Sequence, residues 1–90
     1  MSTNRKLEII NVKGLHARAS AKFVDTVESH DARARVSKDG LDADGDSIMG
    51  LLMLAASQGT SIQVETSGPQ AAELMEALEA LVADKFGEGM

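Results

Sequence analysis

The rhythm of apolar and polar positions changes repeatedly along the chain. Lys6 to Ile10 (KLEII) alternates closely enough to predict a first strand. From Ala17 to Glu28 the rhythm becomes helical, with Ala17, Ala21 and Val24 in one row and Phe23 and Val27 beside them. Ala32 to Ser37 (ARARVS) returns to period two, with Ala34 and Val36 on one face. Lys38-Asp39-Gly40 is a turn signal, and Leu41 to Asp44 reads as the return strand, so residues 32–44 predict a hairpin. Ser47 to Ser57 (SIMGLLMLAAS) predicts a short helix opened by Ser47 as its cap, with Leu51, Leu54 and Ala55 inward. Ser61 to Thr66 alternates again around Ile62 and Val64. The last helix begins near Pro69, a residue suited to a first turn, and its apolar stripe runs from Ala71 through Leu74, Leu78 and Val82 to Phe86.

This order, β-α-β-β-α-β-α, predicts an α+β fold: an open-faced sandwich with a four-stranded antiparallel sheet and three helices on one face. The helices carry too little polar surface to flank a sheet on both sides. With 90 residues, the chain reads as a single domain, 1–90, with a modest core and no room for a deep cleft.

Composition narrows the function. There is no cysteine, which excludes disulfides and thiolate metal sites and fits a cytoplasmic protein. No signal-peptide core or membrane-length apolar run is present. A net charge of −5 argues against nucleic acid as a partner, and Phe23 and Phe86 as the only aromatics argue against a base-stacking platform. Asp42, Asp44 and Asp46 imitate the opening of a calcium loop, but Ser47 and Met53 stand where that loop needs glycine and glutamate, so the run reads as solvated surface. No metal and no cofactor is expected. His30 reads as a surface residue.

The chemistry concentrates in Gly14 to Ser20 (GLHARAS). With His16 at the cap of the first helix, the amides of Ala17, Arg18 and Ala19 have no partner inside it. Free amides, the positive end of the helix dipole and the Arg18 guanidinium together make a receiver for a phosphoryl group. A neutral imidazole is a nucleophile near pH 7, and phosphoryl transfer asks mainly for positioning and charge stabilisation. On the residues alone two readings stand: a phosphoryl acceptor, and an ordinary polar residue before a helix.

GLHARAS resembles the active-site motif of the HPr family, the histidine-containing phosphocarriers of the bacterial phosphoenolpyruvate-dependent phosphotransferase system, which reads Gly-Leu-His-Ala/Thr-Arg-Pro-Ala. Asp46 to Thr60 (DSIMGLLMLAASQGT) resembles the family's second signature, and the order of elements matches its layout. The resemblance implies a carrier, not an enzyme: His16 takes a phosphoryl group on Nδ1 from enzyme I and passes it to enzyme IIA-type acceptors, with Arg18 touching the phosphate. It implies Ser47 as a regulatory phosphorylation site for a serine kinase/phosphorylase, and a soluble monomer without membrane insertion. Ile48, Met49 and Leu52, left without a burial site by the second helix, read as a partner-docking patch. Ala19 and Ser20 replace the family's Pro-Ala, and Asp25 and Glu28 stand where many relatives carry lysine. The resemblance implies a role in sugar uptake and/or its regulation; these departures lean toward an alternative, the nitrogen-related branch, whose output is purely regulatory. A reading of another class is a binding module acting through Ile48, Met49 and Leu52 alone; retention of both His16 and Arg18 tells against it.

Overall fold

The computed structural model describes residues 2–88. Four strands, β1 (Ser2–Glu8), β2 (Arg33–Lys38), β3 (Leu41–Asp44) and β4 (Ser61–Ser67), form one antiparallel sheet in the order β1-β4-β2-β3. Three helices, α1 (Ala17–Glu28), α2 (Ile48–Met53) and α3 (Ala71–Ala83), cover one face. The alternation in β2 and β4 turns Ala34, Val36, Ile62 and Val64 inward and leaves Arg33, Arg35, Gln63 and Glu65 in solvent. Phe23, Leu51, Leu74 and Leu78 complete the core from the helix side. The expected fold class holds.

The predicted hairpin is present, closed by Asp39 and Gly40, both with positive φ (51° and 83°). That is the mirror-image two-residue turn whose twist matches paired strands, and an Asp-Gly pair tolerates it.

The first strand lies earlier than predicted, at Ser2–Glu8 rather than Lys6–Ile10. Backbone pairing with β4 sets it, from Ser2 opposite Ser67 to Glu8 opposite Ser61, while most of its side chains are exposed and gave hydropathy little to read. Ile9, just past the strand, is fully buried and tied by its backbone to Thr60 and Gly59 at 2.8 Å.

Helix α1 has the predicted bounds but buries Ala19, Ser20, Phe23, Val24 and Val27; Ala17 is exposed and Ala21 half-buried. The large Phe23 and Val27 fix the rotation, and alanines say little about which side faces the core. Helix α2 stops at Met53 because Ala55 turns to φ 52°. Ala55, expected inside, is exposed and Ala56 is buried instead. In α3, Gln70 is the cap, so Pro69 precedes the helix rather than opening its first turn. Phe86 lies beyond α3, in a 3-10 turn at Lys85–Gly87, with φ 55° and no exposure.

Candidate functional site

Gly14, with φ 65°, turns the chain toward α1. A side-chain carbon there would stand 2.5 Å from the Ala56 carbonyl oxygen and 2.9 Å from the Ser57 Cα. Glycine is required on both counts, by conformation and by space. The next residue fastens the loop: the Leu15 amide donates to the Ala56 carbonyl at 2.8 Å, and the Leu15 side chain is buried. The following residue, His16, is thereby held at the cap of α1.

His16 is the cap by backbone position, with extended φ and ψ (−79°, −176°), but its side chain makes no capping bond. The first helical bond runs from the Ser20 amide to the His16 carbonyl at 2.8 Å, so the amides of Ala17, Arg18 and Ala19 precede it. Arg18 is exposed, and among the described residues it enters no ion pair. Ser20 is buried and donates its hydroxyl to the Leu15 carbonyl at 3.3 Å. The structure therefore sets His16 at the cap of α1 with Ala17 and Arg18 in its first turn, and among the described residues the amides of Ala17 and Arg18 have no hydrogen-bond partner.

Sequence reasoning missed two members. The His16 ring meets the Glu88 carboxylate through Nε2, across 72 positions of sequence. The other Glu88 oxygen accepts from Asn11 Nδ2 at 2.8 Å, and the same Asn11 amide also donates to the Gly14 carbonyl at 2.8 Å. Asn11 is fully buried. Partial burial pushes the Glu88 carboxyl up, but hydrogen bonds from Asn11 and His16 and the nearby charges of His16 and Lys13 outweigh it, leaving the carboxyl below its usual range. No motif signals such a partner; only the fold returns the end of the chain to its beginning.

Ser47 is the cap of α2 and uses its side chain as one, accepting from the Gly50 amide at 3.0 Å. Ile48 and Met49 are exposed, 40% and 69%. Leu52 is half-buried, and Met53, which sequence reasoning passed over, is 74% exposed. Val12, on the loop leading to Gly14, is also exposed. Asp42 and Asp44 lie beside Arg35, at 3.9 and 3.4 Å. His30 is half-buried, its Nδ1 on the Thr26 carbonyl at 2.8 Å. Among the described residues, no cluster of three or more acidic or histidine side chains could hold a metal, and no helix is long and apolar enough to cross a membrane.

The profile of the HPr component of the phosphotransferase system, described as its phosphorylation site, matches residues 3–84. The chain belongs to the HPr family. It is 47% identical over 85 residues to the phosphocarrier protein HPr of Cupriavidus necator, covering 94% of this chain and 96% of that one. It is 36% identical over 89 residues to the phosphocarrier protein NPr of Escherichia coli, covering 98% and 99%. The crystal structure of HPr from Thermoanaerobacter tengcongensis superposes with a TM-score of 0.92 at 36% identity, covering 98% of this chain and 99% of that one. This HPr-family chain is accordingly a phosphocarrier protein of the phosphotransferase system.

Proposed function

We propose that residues 1–90 act as one cytoplasmic domain that accepts a phosphoryl group on His16 from phosphorylated enzyme I and hands it to enzyme IIA-type acceptors. The observation that carries this reading is a histidine at a helix mouth whose ring leaves the helix amides uncapped. The lone pair on Nδ1 attacks phosphorus while the donor's bond to phosphorus breaks, and the leaving group keeps that electron pair. The amides of Ala17 and Arg18, the helix dipole and the Arg18 guanidinium hold the phosphoryl oxygens. Among the described residues the His16 ring meets a carboxylate only through Nε2, so none is bonded to Nδ1 to activate water there, and the phosphoryl group persists until an acceptor arrives.

Ile48 and Met49, flanked by Leu52, serve as the docking patch. Methionine side chains adapt to more than one partner, as a carrier between two proteins requires. A phosphate on Ser47 would sit beside this patch and oppose docking by its charge. The exposure of Asp25 and Glu28 on α1 favours specialised acceptors, in sugar uptake and its regulation or, as the alternative, in a purely regulatory nitrogen-related branch. The carrier works as a monomer.

Intact mass after incubation with phosphoenolpyruvate and enzyme I of the same organism tests the reading. One acid-labile phosphate is expected on the wild type and none on His16→Ala. No phosphate on the wild type, with an enzyme I active on another carrier, would reject it.

A further inference from the structure

Glu88 stands where nothing in the motif asks for a residue. The route by which it arrives is specific. Three successive residues, Lys85, Phe86 and Gly87, take left-handed backbone conformations (φ 54°, 55° and 76°). For Lys85 and Phe86 this is uncommon and costs free energy, so the surroundings must impose it. They do: the Phe86 ring is fully buried, and its carbonyl accepts from Lys22 Nζ on α1 at 2.7 Å. The turn closes with the Gly87 amide on the Asp84 carbonyl at 2.9 Å and the Glu88 amide on the Lys85 carbonyl at 3.0 Å. This clamp delivers the Glu88 side chain, itself only 12% exposed, onto the His16 ring.

The contact is directional. With the carboxyl ionised, both oxygens can only accept. One accepts from Asn11 Nδ2, the other from His16 Nε2. The proton of a neutral His16 ring must therefore sit on Nε2, leaving the lone pair on Nδ1. Asn11 ties the same carboxylate to the Gly14 carbonyl, so the loop that carries His16 and the group that orients it share one buried amide.

We propose that Glu88 is a positioning residue for phosphoryl transfer: it holds the His16 ring by Nε2–H, presents Nδ1 to phosphorus, and offsets the positive charge the ring gains. This rests on His16 being the acceptor. As Nδ1 forms its bond to the phosphorus of a phosphorylated donor protein, the donor's bond to phosphorus breaks and its electron pair leaves with the donor. The ring becomes cationic with Nε2–H retained, and the facing carboxylate stabilises it. Discharge to an acceptor runs the same balance backward, with the electron pair of the Nδ1–phosphorus bond returning to Nδ1. The logic is that of a base oriented by a carboxylate on its far nitrogen, applied to a nucleophile.

The test compares wild type, Glu88→Gln and Glu88→Ala. Initial rates of phosphoryl acceptance from phosphorylated enzyme I are measured beside nitrogen-edited proton spectra of the His16 ring. Both variants should retain wild-type circular dichroism and accept phosphate about two- to fivefold more slowly, the effect expected of a partly exposed charged contact. The wild type should show a slowly exchanging, downfield Nε2–H resonance that Glu88→Ala loses. Wild-type rates in both variants, or a ring spectrum that Glu88→Ala leaves unchanged, would overturn the proposal. Absence of acceptance by the wild type would instead remove the carrier reading, and the ring spectrum would still report whether Glu88 holds Nε2.

Discussion

All three helices begin on a polar residue, and α1 and α2 use theirs in opposite ways. Ser47 folds its hydroxyl back onto the Gly50 amide and satisfies the start of α2. His16 has the same backbone role at α1, yet its ring turns away to Glu88 and caps nothing. A capped helix start is stable and chemically silent. An uncapped one keeps amide donors available, and here they follow directly on His16, with Arg18 in the same turn. Of α1 and α2, the one that begins less well is the one we propose receives the phosphoryl group.

Exchanging the two solutions breaks the comparison most sharply. His16→Ser puts a good capping residue on α1. Phosphoryl acceptance, read by intact mass, should vanish. Stability in urea should hold or rise by up to about 1 kcal/mol, since the new cap outweighs the lost contact with Glu88. A clear loss of stability would show that the His16 ring supports the fold rather than the chemistry.

The converse change is smaller. Ser47→Ala removes the α2 cap and should cost about 1 kcal/mol in the same denaturation experiment, leaving His16 phosphorylation unchanged. Ser47→Asp should keep most of the stability, because aspartate caps nearly as well, while weakening partner affinity in titration calorimetry by placing a charge beside Ile48 and Met49. A stability unmoved by Ser47→Ala would make the Ser47–Gly50 bond incidental.

The same contrast explains what the sequence could disclose. Local features were legible: the hairpin through its Asp-Gly turn, α1 through its bounds, the Gly14 turn, and His16 and Ser47 as the two caps, all carried by short-range spacing. Elements whose position depends on distant partners were not. β1 is placed by its ladder to β4, and its exposed side chains leave little trace of that in hydropathy. The end of the α3 stripe misled for a related reason: Phe86 is in the core, but a left-handed turn rather than a helix puts it there. Glu88 and Asn11 were invisible because their meeting at His16 is a property of the closed fold. In the docking patch, exposure of Ile48 and Met49 followed from the periodicity of α2, whereas half-burial of Leu52 and exposure of Met53 depended on where that short helix ends.

The smallest effect concerns pH, and it bears on what keeps the two helix starts different. Glu88 is held below the ordinary glutamate value of 4.5, with Asn11, His16 and Lys13 outweighing its partial burial. In the unfolded chain the carboxyl binds its proton first as pH falls. In that interval the unfolded state carries more protons than the folded one, so stability rises with pH. The Glu88 contribution is thus fully present above about 4.5 and is lost as pH falls through the lower, folded value. Urea denaturation of wild type and Glu88→Gln, compared from pH 6 down to about 3, isolates it from the other carboxylates, which both proteins share. The gap between the two proteins should be steady at the upper end and close toward the lower. A gap that stayed constant throughout would mean that Glu88 carries no charge-dependent contact in the folded state, and that the His16 ring leaves its helix uncapped for some reason other than the carboxylate beside it.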